Sequence, residues 1–414
     1  MCAYLEKTSG CIDSDHGKNS GGVADAWLDD SLLFTPWCDP VSGITSYILK
    51  PKVAPFQQSF YYINQSLTRE GRYYWFYCAY PPAPGKTLAV VDLHKGEVHH
   101  FPETQFQEAS PCVDEETGVA YWANDRGIWS IGPVPGGKPR LVNRFSPEFQ
   151  GNRTIFRYAT HLTFSADRTA LAIDAEVGND LYIGHAPLNG DPIVTWQKTI
   201  LGFNHAQFSP VDNDLQMVAQ DNYVDRSNWK LKFYENRLWF IRKGEVLQPF
   251  YPEKPEGNYH AVLHSGHQLA DECRVVDDAR NMHGHEWWGR DGRHIWYLHY
   301  EKGVERLALG SSRPELIWPH NLLSHAHSDL HERYLVADVV PPNDPVNRHV
   351  LFRNIGTGEV TPIVSHMPEV VGILQRYHVH PHPQFCLGDS LICYTTTVFG
   401  SVDVAFARVA DLIA

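Results

Sequence analysis

The stretch Ser324-His325-Ala326-His327-Ser328-Asp329-Leu330-His331-Glu332-Arg333-Tyr334-Leu335-Val336-Ala337-Asp338 reads as two β-strands joined by a tight polar turn near Glu332. A second hairpin follows, Val350–Asn354 into Val360–Val364, across the turn pair Thr357-Gly358. Short runs of apolar, aromatic and β-branched residues around a polar or glycine turn are what a hairpin requires. Six further segments repeat the pattern. They are Ile63–Leu67 into Tyr73–Cys78, Pro111–Val113 into Val119–Ala123, and His161–Phe164 into Ala170–Ile173. The others are His205–Phe208 into Leu215–Ala219, His285–Trp288 into His294–His299, and His380–Phe385 into Ser390–Thr395. Their turns, near Gly71, Gly118, Arg168, Asp214, Gly292, Glu332 and Asp389, fall about 40 to 57 residues apart, with one gap of about 78.

Four strands per unit of that length mark a β-propeller blade. The expected fold is therefore all-β, a seven-bladed propeller forming one domain over residues 31–414. The last unit has only three strands before Ala414, and Asp39–Leu49 reads as the missing outer strand. Sewing it onto the seventh blade closes the ring. Two β-sandwiches would leave the repeat register unexplained. Residues 1–30 read as a flexible tail, and the wide gap as a polar insertion over residues 251–282, carrying His260, His264, His267 and Cys273. A surface loop near the mouth of the ring is the expected role of that insertion.

Composition narrows the function. With 35 Lys and Arg against 48 Asp and Glu the net charge is −13, which weighs against duplex nucleic acid as a partner. A hydrophobic fraction of 43% excludes a disordered chain. No apolar run approaches the roughly 20 residues of a membrane span. The eight cysteines are scattered without a Cys-x-x-Cys pair, and no secretory signal is visible, so reduced thiols in the cytoplasm are expected. Oligomeric state is left open.

Five of the seven inner strands begin with histidine: His161, His205, His285, His325 with His327, and His380 with His382. Inner strands line a propeller's channel, so these imidazoles aim at one axis. Strand alternation places His325 and His327 on one face, and likewise His380 and His382. Four imidazoles from two neighbouring blades make a divalent-metal site; the competing reading is a hydrogen-bonded network of histidines and water. Trp287-Trp288 is either channel-wall packing or a platform for stacking a sugar. Gly132–Gly137 is a turn cluster whose prolines disfavour a phosphate cradle. Neither a serine nucleophile elbow nor a Walker pattern occurs.

These residues resemble the oligogalacturonate lyases, from about Trp37 to the C-terminus. The likeness rests on His285-Glu286-Trp287-Trp288 followed by Asp291-Gly292, on Ser324-His325 with a strand ending at Asp338, and on Arg237-Leu238-Trp239. It rests also on His380-Pro381-His382-Pro383-Gln384-Phe385. The resemblance implies a seven-bladed lyase that cleaves short oligogalacturonates by β-elimination, using a divalent cation, usually Mn2+. By motif, His325, His380 and His382 are the metal ligands, His285 is the base, and Arg237 attends the substrate carboxylate. His205 and Arg376 are expected at the substrate, and Arg237, Arg290 and Arg376 to make the mouth locally positive. The family's fourth ligand, a Gln three positions before the His-Pro-His-Pro run, is Tyr377 here, with Gln375 and His378 as nearby substitutes. Another uronate-containing oligosaccharide is an alternative substrate, and a non-catalytic interaction platform an alternative role.

The chemistry suits these groups. The C5 proton of a uronate is weakly acidic, because its removal adds charge next to a carboxylate. A cation or arginine on that carboxylate spreads the charge, and a neutral imidazole takes the proton. In galacturonate the C5 hydrogen and the O4 leaving group lie on opposite faces, so a second group is needed for O4. The sequence names none.

Overall fold

The computed structural model describes residues 23–30, 32–106, 111–225, 229–232, 237–250, 283–300, 302–311, 313–339, 348–368, 377 and 379–414. The insertion at 251–282, most of the N-terminal tail, and Gln375, Arg376 and His378 lie outside these described residues. The chain forms a seven-bladed β-propeller.

From the axis outward, the first blade is Phe56–Gln58, Tyr73–Ala79, Lys86–Asp92 and Glu97–Phe106. The second is Cys112–Val113, Ala120–Asn124, Gly127–Ile131 and Arg140–Asn143, and the third Ile155–Arg157, Ala170–Val177, Asp180–Pro187 and Val194–Thr199. The fourth, Gly202–Phe208, Leu215–Asp221, Leu238–Arg242 and Gln248–Pro249, carries an extra hairpin, Tyr223–Asp225 with Lys230–Lys232. The fifth is His283–Trp288, His294–His299, Gly303–Ala308 and Glu315–Pro319; the sixth is Leu323–Ser328, Tyr334–Val339, Arg348–Asn354 and Val360–Met367.

The seventh blade is built from both parts of the chain. Gln384–Cys386, Leu391–Thr396 and Asp403–Arg408 are followed outward by Thr45–Leu49, which pairs antiparallel through Ser46 with Ala407 and Ile48 with Ala405. Phe34–Cys38 adds a fifth strand that the sequence reading did not anticipate. Part of the stretch expected as a tail over residues 1–30 is folded. Val23–Asp29 forms a short 3-10 helix with Leu28 buried, and Trp27 packs edge-on against Phe406 at 5.2 Å. Arg408 holds this helix through Asp25 and Asp29. Apolar burial and two carboxylates on one guanidinium explain the order there.

Second strands such as Tyr74–Ala79 and Leu391–Thr396 are buried along their whole length, because each is covered on both faces by adjacent blades. The innermost strands are different: they buckle. Register shifts interrupt pairing between Asn204 and Gln207, between Gly284 and Trp287, and between Leu323 and His325. His205, His285 and His382 all carry positive φ, at 53°, 52° and 44°. Such bulges turn a side chain away from the regular alternation. In the first blade the buckle is larger. Phe56–Gln58 pairs with the far end of Tyr73–Ala79, while Leu67 bridges Tyr74, so the inner strand expected at Ile63–Leu67 is only the second limb of an interrupted one. The chain between the limbs delivers Phe60, Tyr61 and Tyr62 to the interior. Among the described residues, no helix is long and apolar enough to cross a membrane.

Because Thr45–Leu49 is an integral strand of the seventh blade, Ile48→Ala is expected to cost about 2–5 kcal/mol in denaturant melts, as a central-blade isoleucine would. Leu32, 78% exposed, lies just outside it, and Leu32→Ala is expected to change stability by less than about 0.5 kcal/mol.

Candidate metal and acid–base site

The buckled inner strands bring two groups of ionisable side chains together. The first lies between the sixth and seventh blades. Ring nitrogens of His325, His380 and His382 all fall within 4.8 Å of one another. His325 and His382 are buried and meet edge to face, with ring centroids 4.3 Å apart. Beneath them is Asp338, fully buried at the outgoing end of Tyr334–Val339. Its carboxylate accepts the backbone N–H of His325 at 2.8 Å and that of His382 at 3.1 Å, and lies 3.0 Å from Nδ1 of His325. That contact orients the His325 ring and holds its Nδ1 on the carboxylate. Three imidazoles, one backed by a carboxylate, are a donor set that fits a divalent transition metal.

His285 stands beside this group, its ring centroid 4.2 Å from that of His325 and its Nδ1 3.4 Å from the Tyr300 hydroxyl. The next residue in sequence goes elsewhere. Glu286, 1% exposed, reaches His205, with Oε1 3.0 Å from Nδ1. Its other oxygen is 3.9 Å from Nε of Arg237, which in turn donates to the Gln220 carbonyl and pairs with Asp221. Burial alone would raise the Glu286 pKa, but the Arg237 charge and the His205 hydrogen bond outweigh it and hold the carboxyl at about 2. Asp174 does for the third and fourth blades what Asp338 does for the sixth and seventh. Fully buried, it accepts from Thr160 N–H at 2.8 Å and Ala206 N–H at 3.0 Å, and Thr160 Oγ1 accepts from His205 N–H at 2.7 Å.

Two tyrosines fill the space between the groups. Tyr61 stacks on His161 at 4.5 Å and meets His382 at 5.0 Å and His205 at 6.3 Å. Tyr62 lies 5.5 Å from His325 and 6.4 Å from His285. Burial, then the negative charge of Glu286, pushes the Tyr61 phenol well above its ordinary value; burial, then Tyr61 and Glu286, does the same for Tyr62, so both remain neutral donors.

Comparison with solved structures places this architecture. An oligogalacturonate lyase in complex with manganese superposes with a TM-score of 0.67 at 15% identity, covering 91% of this chain and 96% of that one. An oligogalacturonate lyase from Vibrio parahaemolyticus gives 0.68 at 13% identity over the same shares. The fold is that of the oligogalacturonate lyases. At such identities the lyase likeness establishes the architecture alone. No protein-family model and no curated protein matches the sequence.

Several expectations from the sequence are corrected. The four-histidine cluster is a three-histidine cluster. His327 lies further along the strand, where its Nδ1 accepts the Phe385 amide at 3.1 Å, and burial, aided by Arg290, pushes its pKa down to about 3. Tyr377, the departure from the family's fourth ligand, is buried against Phe56 and donates its hydroxyl to the Ala83 carbonyl at 2.8 Å, and the substitutes Gln375 and His378 lie outside the described residues. Arg290 is not at the mouth but in the turn at the other end of its strand from His285, with Asp389 as an electrostatic neighbour. Trp287 and Trp288 are packing residues, their indole N–H groups donating to Ser328 Oγ and the Gln207 carbonyl. Arg376 lies outside the described residues. Tyr61, Tyr62, Tyr300, Glu286, Asp221 and Asp174 were missed as site residues. A surface hollow of about 740 Å³ across the first three blades, lined by residues such as Tyr80, His100 and Phe156, contains none of these groups. A second His and carboxylate group, Asp291, His294 and Glu332, is an ion-pair cluster, with Arg306 and Trp296 on Glu332 and Arg293 on Asp291.

The depressed carboxyl of Glu286 sets a pH dependence. Its folded value is about 2 against an ordinary 4.5, so the stability it contributes is fully present above 4.5 and is lost as pH falls toward 2. The melting temperature of Glu286→Gln is expected to lie below wild type at neutral pH, with the gap narrowing steadily below pH about 4.5. A constant gap across that window would refute the assignment.

Proposed function

We propose that the protein is a metal-dependent lyase that cleaves short uronate oligosaccharides, oligogalacturonates foremost, by β-elimination to 4,5-unsaturated products. The observation that carries this reading is the placement of His285 against the His325, His380 and His382 cluster, with ring centroids 4.2 Å apart at His325. The manganese in one structural neighbour supports the choice of cation.

His325, His380 and His382 would hold the ion, with Asp338 orienting His325 from behind. When bound, a divalent cation there neutralises the substrate carboxylate and stabilises the enolate-like charge that proton removal creates. His285 removes the C5 proton. Its Nδ1 lies 3.4 Å from the Tyr300 hydroxyl, a contact that orients the ring. Tyr61 and Tyr62, neutral and rigidly packed, exclude bulk water from the reacting centre, the Tyr62 hydroxyl donating to the Glu286 carbonyl. Arg237, held between Asp221 and Glu286, offsets part of the carboxylate charge that an anionic sugar would otherwise meet there.

Wild type incubated with digalacturonate and Mn2+ is expected to produce the ultraviolet absorbance of an unsaturated uronate. His285→Ala is expected to lose about 10²–10⁴-fold in rate, the usual worth of a positioned base. Absence of the band with every uronic oligosaccharide tried would refute the lyase assignment. For the ion, His380→Ala is expected to bind less metal by elemental analysis, and Asp338→Asn to weaken metal affinity about 10–100-fold in titration calorimetry. Unchanged metal content in His380→Ala would remove the ligand assignment.

A further inference from the structure

β-Elimination leaves one proton transfer unassigned. As the C5–H electron pair becomes the C4=C5 double bond and the C4–O4 bond breaks, O4 departs with an electron pair and must be protonated. For a sugar whose C5–H and O4 lie on opposite faces, His285 cannot serve both. The residue after it points to the other group. The bulge between Gly284 and Trp287 sends His285 toward the metal cluster and Glu286 away from it, to His205.

His205 is built as an acid–base group. Its Nδ1 is engaged by a buried carboxylate at 3.0 Å, so only Nε2 is left to exchange a proton. Its backbone is held at φ 53° by the Thr160 hydroxyl. It lies beside Tyr61, whereas His285 lies beside Tyr62, so the two imidazoles flank the tyrosine pair separately. An ion pair serving stability alone needs only Arg237 and Glu286; the hydrogen bond to a channel-facing imidazole adds a base held by an orienting carboxylate.

Resting on the lyase reading, we propose that His205 is the general acid of the elimination and that Glu286 is its positioning residue. The Nε2–H of protonated His205 passes to O4 as the C4–O4 bond breaks, its bonding pair remaining on Nε2. The neutral ring keeps Nδ1–H on Glu286. His285 takes the C5 proton in the same turnover. Between turnovers His285 loses a proton to water and His205 gains one, so the cycle closes without any further reactant.

The test separates leaving-group protonation from everything else. Two substrates are compared: digalacturonate, and a 4-deoxy-4-fluoro galacturonide, whose fluoride departs without a proton. His205→Gln is expected to slow digalacturonate turnover about 10²–10³-fold and fluoride release by less than about 5-fold. Glu286→Gln and Glu286→Asp are expected to show the same split in smaller measure, with Asp recovering part of it. Equal losses on both substrates would overturn the inference while leaving the lyase reading intact. A wild type inert to digalacturonate and every other uronic oligosaccharide would remove both. If wild type cleaves digalacturonate but not the fluoride, imidazole added to His205→Gly decides: restored cleavage supports the inference, and none overturns it.

Discussion

Two fully buried aspartates, Asp174 and Asp338, hold the interior of this propeller in its working shape. A backbone bent out of β-pairing exposes N–H groups that the ladder no longer satisfies, and in a dry interior each must find an acceptor. Asp338 takes the amides of His325 and His382 from two different blades. Asp174 takes those of Thr160 and Ala206 in the same way. Each carboxylate therefore stitches a blade boundary and at the same time aims an imidazole. Packing of the ring and orientation of the site are a single constraint, which is why positive φ appears at histidines rather than glycines there.

Charge is distributed with equal economy. Glu286 is buried with Arg237 on one oxygen and His205 on the other, and Arg237 is shared with Asp221. A lone carboxylate at this depth would be neutral; embedded in this chain it stays ionised. Adjacent residues on one strand thus serve two environments, a histidine cluster and an ion-pair network.

Much of this was legible in the sequence. Blade number followed from the repeat of hairpins, because strand periodicity and turn glycines are local signals. His325, His380 and His382 were readable as a cluster because a propeller's inner strands share an axis. His327 misled because alternation says nothing of depth: it lies two residues further along an uninterrupted stretch of pairing, roughly 7 Å on, where it meets the Phe385 amide instead. Tyr377 was placed by counting from a motif, but its phenol is captured by Ala83 in the first blade, a contact between residues nearly 300 positions apart. Tyr61 and Tyr62 were hidden for a similar reason. They lie in the buckle of an inner strand whose two limbs pair with one neighbour, and no local pattern announces that. Glu286 sat inside a quoted motif, yet nothing in the motif says that it turns away from His285.

The sharing of the seventh blade between the two ends of the chain has a consequence for biogenesis. Thr45–Leu49 emerges from the ribosome early, but its partner strand begins at Asp403. At typical elongation rates, roughly 5–20 residues per second, it waits on the order of 20–70 seconds for that partner. Throughout that interval the nascent molecule carries an unsatisfied ribbon of amides and apolar side chains, the kind of segment that recruits a holdase or pairs with a neighbouring polypeptide on the same message. Completion of the circle, rather than formation of any single blade, is then the moment at which the newborn protein stops being sticky.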